Sequence, residues 1–387
     1  MMNRVTLRRG LSIFLVFAVA ALSAACASRP ESGFLVPTAE PAPGADVHSL
    51  LVASTRERDA RPGTFYGSER AGWLDYAAVT VSIPTTHAPG EIEWPPNPPG
   101  DPNTAFVVRQ AAYLDGEKAF VQQLNLRLAS QPAGNRRIFL FIHGYNTLFA
   151  EGLYRFAQVV HDSESRATPV LFTWASRGRP SQYIYDTNSA TAARDELTHI
   201  LRLLLASHAD HIVILAHSLG NWVTVEALRQ LEISSPGSSS ARLGPILLAA
   251  PDIDVDVFKA QLRSFGDKRR QLFVVLSKDD RALAFSRFVA GGENRVGDDP
   301  NVQELAALGV TVIDLTNLKA SDSFHHSKFA ELAEAAPQLA PILAKGLRSD
   351  PAILSERQQD AGRSLGAVIT SSMTILGTQI AITADRN

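Results

Sequence analysis

Apolar runs separated by polar turns recur along the chain between residues 137 and 315. They are, in order, RIFLFI, TPVLFT, HIVILAH, PILLAA, QLFVVL and VTVIDL, and most are followed by a helical pattern. These runs are apolar at most positions rather than at alternate positions. Such runs are typical of strands buried on both faces of a parallel sheet. The pattern therefore predicts a parallel sheet whose strands are joined by crossover helices.

Further elements are predicted on both sides of these runs. Residues 76–87, YAAVTVSIPTTH, alternate like a strand, and residues 105–114, AFVVRQAAYL, indicate another strand after a proline-rich loop. Residues 188–207 repeat apolar positions at intervals of three and four, which predicts a helix. A further helical pattern, SKFAELAEAAPQLAPIL, follows the last apolar run.

The segments outside this pattern set the expected domain boundaries. Residues 28–63 are rich in Pro, Ala, Ser and charged residues and have no period, which predicts a flexible tether. Residues 64–348 are the expected folded domain. Residues 349–387 form a C-terminal extension whose uncharged part contains too many Ser and Thr residues for a membrane span. We expect that extension to pack on the domain or on a partner.

Composition and charge narrow the possible classes of function. The chain has 387 residues, of which 45% are hydrophobic, so it has enough apolar side chains for one large core. Its net charge is −2, and no long Lys/Arg block is present. Nucleic-acid binding requires a basic face, so we expect no nucleic-acid partner. The oligomeric state is left open by the sequence.

The first 27 residues have the layout of an export signal. Arginines precede an apolar stretch that begins at Ile13, and small residues follow it. The stretch is shorter than the about 20 residues of a membrane-spanning helix. The single cysteine, Cys26, ends the signal in the sequence LSAAC, which resembles the bacterial lipoprotein box, although Ser23 occupies a place where that box prefers an aliphatic residue.

Lipidation of Cys26 would attach the exported chain to a membrane of the cell envelope. In the bacterial lipoprotein pattern the modified cysteine becomes the new N-terminus. Ala27 lacks the aspartate that typically retains such proteins at the inner membrane, which predicts an outer-membrane lipoprotein. Plain signal cleavage after Ala25 or Ala27 is the alternative, and it predicts a soluble periplasmic protein.

The end of the run HIVILAHS carries the candidate nucleophile. Ser218 ends a predicted strand and begins a predicted helix, and the small residues Ala216 and Gly220 permit a sharp turn there. The usual first glycine of this turn is replaced by Ala216. The helix N-terminus would offer the Leu219 N–H to an oxyanion. The second donor is expected to be the N–H of Tyr145, in the loop HGYN after RIFLFI.

A serine nucleophile needs a base, and histidine has the appropriate pKa at neutral pH. Only two of the ten histidines, His325 and His326, come after Ser218, and both are in the loop DSFHHSKF that follows the last predicted strand. Loops at the carboxyl ends of parallel strands collect catalytic groups at one edge of the sheet. The order of the chain therefore points to this histidine pair as the base.

Two loops carry candidates for the acid that orients the base. Asp279 and Asp280 follow QLFVVLSK, and Asp252 and Asp254 lie in the loop AAPDID. Both loops lie at the same edge of the predicted sheet, so either reaches the histidines. Asp254 also has the position of a helix cap.

These motifs together resemble a bacterial α/β-hydrolase family of unknown function that is placed among esterase/lipase-like proteins. The motifs occur in the order RIFLFIHGYNT, VLFTWASRG, SQYIYDTNSA, ILAHSLGNWV, AAPDIDVDVF, LSKDDRALAFS and HHSKF, and the resemblance extends from about Gly67 to Leu343. It implies the α/β-hydrolase fold, an α/β architecture with a mostly parallel sheet and helices on both faces.

The resemblance also implies roles for individual residues. The aspartate motif of the family matches Asp280 rather than Asp279, and its histidine motif matches His326. Lys328 departs from that motif, where an aromatic residue is common, and this departure affects the rim of the pocket. The resemblance thus implies a serine esterase or lipase-like enzyme in which Ser218 forms an acyl-enzyme, His326 is the base and Asp280 orients it.

We expect a small-molecule or lipid ester as substrate, with no cofactor and no metal in the reaction. His143 and Trp174 are predicted to contact the substrate, whereas His217 is predicted to be structural. Two alternatives remain open at this point. The scaffold is also consistent with a non-catalytic envelope protein that binds or anchors a partner, and the same three residues would serve an acyltransferase.

Overall fold

The computed structural model describes residues 29–236, 242–265, 271–298, 302–318, 320, 322, 324–332, 369–375 and 378–383. The described strands are β1 (Asp46–Asp59), β2 (Phe65–Ile83), β3 (Val107–Tyr113), β4 (Arg137–Ile142), β5 (Thr168–Thr173), β6 (His211–His217), β7 (Leu243–Ala249), β8 (Leu272–Leu276), β9 (Val310–Asp314), β10 (Ile369–Ile375) and β11 (Thr378–Thr383).

These strands form one sheet, in the order β11-β10-β9-β8-β7-β6-β4-β5-β1-β2-β3. The strands from β9 to β1 in this order are parallel to their neighbours. The strands β2 and β3 extend one edge in antiparallel orientation, and β10 and β11 extend the other. The predicted parallel sheet is confirmed, and both strands predicted before residue 115 overlap strands of the sheet, β2 and β3.

The burial of the central strands explains why apolar and polar residues do not alternate in their sequences. In β4, Ile138, Leu140 and Ile142 belong to one hydrophobic core, while Phe141 belongs to a second core on the opposite face. Successive side chains of a strand point to opposite faces, so burial of both faces requires apolar residues at nearly every position. The apolar runs of the sequence are therefore explained by a sheet whose two faces are both buried.

Helices pack against both faces of the sheet. The described helices are α1 (Gly116–Ala129), α2 (Phe149–Asp162), α3 (Tyr183–Ala206), α4 (Leu219–Ser234), α5 (Val255–Arg263), α6 (Arg281–Val289), α7 (Val302–Ala307) and α8 (Lys328–Leu332). The helices α1, α3, α4 and α5 contribute to one core, and α2 and α8 contribute to the other. This arrangement is an α/β-hydrolase fold, as predicted from the sequence.

The predicted tether at residues 28–63 is wrong. Residues 46–59 form β1, which pairs with β5 and β2 inside the sheet. Its segment Leu50–Ala53 is completely buried. The prediction failed because this run is buried on both faces and so lacks alternation, and because the proline-rich residues before it dominate the composition. The folded domain therefore begins well before residue 64.

The C-terminal extension contributes to the same sheet. The strands β10 and β11 form an antiparallel hairpin, and β10 pairs with β9. The export signal and Cys26 lie outside the described residues. No helix among the described residues is both long and apolar enough to cross a membrane.

Candidate active site

Ser218 lies at the turn between β6 and α4. Its backbone has φ 53° and ψ −126°, a conformation that is strained for any residue other than glycine. The Ser218 N–H donates to the Ala249 carbonyl oxygen at 2.9 Å, and the Asn221 N–H donates to the Ser218 carbonyl oxygen at 3.0 Å. Hydrogen bonds on both sides therefore hold the serine in the strained turn that the sequence predicted.

Close packing around this turn restricts its neighbours. A Cβ atom on Gly220 would lie 2.3 Å from the His143 carbonyl oxygen, and a Cβ atom on Gly144 would lie 2.6 Å from the Cβ atom of Ser218. Ala216 is completely buried in β6, between β4 and β7. The turn thus accepts alanine at position 216, as predicted, whereas positions 144 and 220 require glycine.

Asp280 and His326 form a hydrogen-bonded pair beyond the carboxyl ends of β8 and β9. Oδ2 of Asp280 lies 2.6 Å from Nδ1 of His326, and Oδ1 of Asp280 accepts the Leu283 N–H at 2.9 Å. The Asp280 side chain is completely buried, and the His326 side chain is 15% exposed. The carboxylate therefore fixes the orientation of the imidazole and leaves its Nε2 atom for another partner.

The loop that carries His326 is held by two further residues. Asp322 accepts the N–H groups of His326 and Ser327 at 3.2 Å and 2.7 Å. His217 Nε2 lies 3.1 Å from the His326 carbonyl oxygen, and the ring centroids of the two histidines are 4.6 Å apart. Because His217 directly precedes Ser218, this contact brings the His326 loop beside the candidate nucleophile.

Burial and nearby charge act in opposite directions on His326. Burial disfavours the imidazolium, but the Asp280 carboxylate, with Asp252 and Asp322, outweighs burial and raises the pKa of His326 above 6.5. Burial, together with the neighbouring His326, lowers the pKa of His217 well below that value. Of the two adjacent imidazoles, His326 therefore holds a proton more readily, and His217 stays neutral.

Ser218 and His326 are near each other without a hydrogen bond between them. Within the described residues no hydrogen bond reaches the Ser218 hydroxyl group, and Ser218 is 2% exposed. Catalytic hydrogen bonds are often long in the absence of substrate and tighten when it binds. The structure thus brings the two loops together, and a direct serine–histidine hydrogen bond requires a further movement of these groups.

Two main-chain N–H groups adjoin Ser218. Leu219 is the first residue of α4, and Tyr145 follows the glycine that packs against Ser218. In the described part of the chain, neither N–H donates a hydrogen bond. The hydroxyl group of Tyr145 donates to the Pro180 carbonyl oxygen at 2.6 Å, which fixes the position of the side chain. These two N–H groups are therefore available to a negatively charged oxygen.

The aspartates of the AAPDID loop have other partners. Oδ1 of Asp254 accepts two N–H groups at the start of α5 and caps that helix, as predicted. Oδ2 of Asp252 accepts the Tyr183 hydroxyl at 3.0 Å, and its Oδ1 accepts the Ser286 hydroxyl at 2.5 Å. Arg295 Nε lies 3.4 Å from the same Oδ1. Neither aspartate of this loop is hydrogen-bonded to His326.

The first aspartate of the other loop pairs with the first histidine. Oδ2 of Asp279 lies 2.7 Å from Nδ1 of His325, and Oδ1 of Asp279 accepts the Lys328 ammonium at 2.7 Å. Burial tends to raise the pKa of Asp279, but Lys328 and the Ser277 hydroxyl group overcome it and lower this pKa to about 2. Asp279 is thus a charged, partly exposed group that pairs with His325 and with the buried ammonium of Lys328.

The burial of the His143 and Trp174 side chains argues against their predicted contact with a substrate. Trp174 is completely buried and His143 is 2% exposed. The two rings stack at 5.2 Å, and the Trp174 indole N–H donates to His143 O at 2.9 Å. Burial, with the adjacent Arg56 charge, lowers the pKa of His143 to about 3. A motif-based prediction cannot distinguish an inward-facing side chain from one that lines a pocket.

Arg56 is a supporting residue that the sequence analysis missed. It is completely buried in β1. Its guanidinium donates to the carbonyl oxygens of Thr147 at 2.8 Å and Ser176 at 3.0 Å, and to the Thr173 hydroxyl at 2.8 Å. Burial lowers the pKa of Arg56 to about 10. A single buried cation thus joins the loops after β4 and β5.

Asp186 and Arg29 secure the same HGYN loop from two further directions. Asp186 accepts the Asn146 N–H at 3.1 Å and the Ser176 hydroxyl at 2.6 Å. Burial raises the pKa of Asp186. Arg29 donates to Asn146 Oδ1 at 2.7 Å and to Glu151 Oε1 at 2.7 Å. The sequence motif SQYIYDTNSA contains Asp186, yet only the structure shows that its carboxylate holds this loop.

A cavity of about 160 Å³ lies beside this loop rather than at the serine. Its lining includes Phe34, Tyr66, Leu148 and Gly178, and none of Ser218, Asp280 and His326. The cavity is therefore separate from the candidate active site.

The fold agrees with a known protein family. Residues 117–342, more than half of the chain, match the family described as alpha/beta hydrolase of unknown function (DUF900). No curated protein matches the sequence. Among solved structures, the chain is similar to Aspergillus fumigatus lipase B at 12% identity and a TM-score of 0.33, over 60% of this chain and 55% of that one.

The chain thus spans about half the length of that lipase, and a likeness at this level carries no argument about activity. The family match stands independently of it, on more than half of the chain. The predicted family resemblance is therefore confirmed, and the chain belongs to the alpha/beta hydrolases of unknown function (DUF900).

Proposed function

We propose that this α/β hydrolase cleaves carboxylic esters through an acyl-enzyme on Ser218. The observation that carries the proposal is the Asp280–His326 pair, whose oxygen and nitrogen are 2.6 Å apart and whose loop packs against the residue before Ser218. A nucleophile on a strained turn, a base and an orienting acid are the three parts that acyl transfer requires.

In the first step, His326 Nε2 accepts the proton of the Ser218 hydroxyl while Ser218 Oγ attacks the ester carbonyl carbon. The carbonyl π electrons move to its oxygen, which becomes an oxyanion bound by the N–H groups of Tyr145 and Leu219. Asp280 holds the imidazole in the tautomer with Nδ1–H and stabilises the imidazolium that forms.

In the second step, the tetrahedral intermediate expels the alcohol, which takes the proton from His326. The product is an ester between the acyl group and Ser218. Water then attacks this ester with His326 again as base, and the collapse of a second tetrahedral intermediate releases the carboxylic acid and restores Ser218. At the end of the cycle the alcohol carries the proton that Ser218 gave up, and a proton from the water has replaced it on Ser218.

Apolar side chains near the site favour an ester with an apolar group, such as a lipid ester. Phe288 is 82% exposed and Phe285 is 46% exposed, both on the helix that Asp280 caps, and Phe324 is 60% exposed in the His326 loop. The Arg281 N–H donates to Phe324 O at 2.9 Å, which brings the two elements together. Exposed aromatic side chains of this kind suit contact with an acyl chain.

The proposal is tested by hydrolysis of p-nitrophenyl esters of increasing acyl length. We expect turnover by the wild type, with an initial burst when acylation is faster than deacylation, and no turnover above background by Ser218→Ala. Ser234→Ala is the matched control, because Ser234 is an exposed residue at the other end of the same helix. Activity that survives in Ser218→Ala would remove the assignment of the nucleophile.

We further propose that Cys26 is lipidated and that the enzyme acts at a membrane of the cell envelope. Two residues separate Cys26 from Arg29, which is bound to the HGYN loop through Asn146. Three peptide steps extend to about 10 Å at most. A lipid at Cys26 would therefore keep this side of the domain near the membrane surface, which supports a substrate drawn from lipid.

Subcellular fractionation tests this location. We expect the wild type in the membrane fraction and Cys26→Ser in the soluble periplasmic fraction, with equal esterase activity per molecule. A soluble wild type whose N-terminal residue is not a modified Cys26 would replace lipidation with plain signal cleavage.

A further inference from the structure

A second group of histidines and carboxylates lies at the far end of α2 from the HGYN loop. It brings together His48 from β1, His87 from the segment between β2 and β3, and His161 and Asp162 from the last turn of α2. The helix α2 has 14 residues and is therefore about 20 Å long. This group is thus remote from Ser218 and independent of the proposed function.

We propose that His87, His161 and Asp162 bind a divalent transition-metal ion of the Zn²⁺ type, with His48, which contacts His161, as an additional donor. One ligand atom from each of the three residues lies within 4.8 Å of the other two. Imidazole nitrogen and carboxylate oxygen are the donors that such ions take from proteins, together with thiolate.

His87 has the environment of a metal-binding histidine. Its Nδ1 atom lies 2.7 Å from Oε2 of Glu93, and its Nε2 atom lies 2.8 Å from Oδ1 of Asp162. Histidines that bind metals usually direct the second ring nitrogen at a carboxylate or a carbonyl group, which fixes the ring. Glu93 performs this orienting role, and Nε2 is the atom that faces the cluster.

Asp162 is oriented in the same manner. Its Oδ2 atom accepts the Gly90 N–H at 2.8 Å and the Gln158 side-chain amide at 2.5 Å. Oδ1 is directed at His87 instead. One oxygen is therefore fixed by the protein, and the other is left to coordinate an ion, as in carboxylate ligands that are hydrogen-bonded in turn.

The distance between His48 and His161 matches one edge of a tetrahedral site. Nε2 of His48 lies 3.3 Å from Nδ1 of His161. Two nitrogens on a tetrahedral ion, each bound at about 2.0–2.1 Å, are about 3.3–3.4 Å apart. The His87–Asp162 pair at 2.8 Å is shorter than this edge, so metal binding requires those atoms to separate by on the order of 0.5 Å.

An ion at this place has a path to solvent and a structural consequence. The His161 side chain is 26% exposed, whereas the side chains of His87 and Asp162 are 4% and 1% exposed. The ion would enter past His161 and join β1, the segment after β2 and the end of α2. It would stabilise the fold without taking part in the reaction, because α2 separates it from Ser218.

The test uses the full protein, stripped of metal by a chelator and then titrated with Co²⁺ and Zn²⁺. We expect one Co²⁺ per chain with the intense visible absorption of tetrahedral coordination, and loss of that absorption when Zn²⁺ displaces it. Saturation with Zn²⁺ should raise the melting temperature by on the order of 5 °C. Absence of stoichiometric Co²⁺ binding by the folded wild type would overturn the proposal.

Variants assign the ligands. His161→Ala should abolish the absorption, and Glu93→Gln, which removes only the partner of His87, should weaken binding by about 10–100-fold. His199→Ala is the matched control, because His199 pairs with Glu117 at a separate exposed position and should not change binding. Asp162→Asn provides a second test if His161→Ala does not fold, and unchanged affinity in the folded one of these two variants would overturn the site.

Discussion

Two Asp–His pairs lie side by side between the same two loops. The Asp280–His326 pair has an O···N distance of 2.6 Å, and the Asp279–His325 pair has a distance of 2.7 Å. Both aspartates follow β8 and both histidines follow β9. Chain order and distance therefore do not distinguish the pairs, although each is a potential base with its orienting acid.

Burial and competition for the carboxylate do distinguish them. The Asp280 side chain is completely buried, while the side chains of Asp279 and His325 are 37% and 34% exposed. Asp279 also binds the Lys328 ammonium, which neutralises its charge. The interaction energy of an exposed ion pair is small, because water screens the two charges. A carboxylate becomes an effective partner for a base when it is buried and has no competing cation.

Replacement of the histidines should give the largest difference between the two pairs. We expect His326→Ala to lower kcat/KM by on the order of 10⁵–10⁶, because the base is lost. The kcat/KM of His325→Ala should stay within about tenfold of the wild-type value, because water screens the charges of an exposed Asp–His pair. Esterase assays on folded variants check both values, and a larger loss in His325→Ala would reverse the assignment.

Replacement of the aspartates should give a smaller but parallel difference. Asp280→Asn should lower kcat by about 10⁴, because the amide no longer holds the imidazole in the required tautomer or stabilises its charge. The kcat of Asp279→Asn should be less than about tenfold below the wild-type value. Equal losses in the two variants would mean that the pairs act as one unit.

Asp252 offers a third comparison, since its charge acts on His326 without a hydrogen bond. We expect Asp252→Asn to reduce kcat/KM by less than about 100-fold, well below the effect at Asp280. Steady-state kinetics for the two variants measures this ranking. If Asp252→Asn instead causes the larger loss and Asp280→Asn is nearly silent, the acid lies in the AAPDID loop.

The pH dependence of the esterase activity should distinguish the two pairs by a smaller effect than the substitutions do. Because the pKa of His326 is raised and the neutral form is the base, activity should fall as the pH drops through a midpoint above 6.5. Without the Asp280 charge, burial is opposed only by the smaller effects of Asp252 and Asp322, so the residual activity of Asp280→Asn should fall at a lower pH. Asp279→Asn should keep the wild-type midpoint. A midpoint below 6.5 in the wild type would contradict the raised pKa.

The same shift affects stability, with a definite sign. A raised pKa of His326 in the folded state favours folding below pH 6.5, and this contribution disappears as the pH rises through the folded-state pKa. Asp280→Asn should remove this dependence, which denaturant unfolding of the two proteins across that pH range would measure.

The sequence predicted those features that depend on local pattern. Apolar runs buried on both faces identified the parallel strands, and the small residues around Ser218 identified the turn. The order of chemical groups along the chain located the histidine loop, and the family motif selected His326 in that loop and Asp280 in the loop after β8. Each of these signals lies within a few consecutive residues or in the order of such segments along the chain.

The sequence did not reveal features that depend on distant partners. Arg56 binds the Ser176 carbonyl oxygen across 120 residues of sequence, and nothing near Arg56 indicates that a buried cation is required there. The same limit explains why the sequence predicts substrate contacts for His143 and Trp174, whose partners come from distant segments. The proposed metal ligands also come from three separate segments, so no spacing motif marks them.

The most direct test of the account is covalent labelling with a fluorophosphonate, which reacts with an activated serine. The account predicts one adduct per folded chain, located by mass spectrometry on Ser218, with the rate of labelling greatly reduced in His326→Ala and unchanged in His325→Ala. An absence of labelling on folded wild-type protein, or an adduct at another serine, would contradict the claim that Ser218 is a nucleophile activated by the buried Asp280–His326 pair.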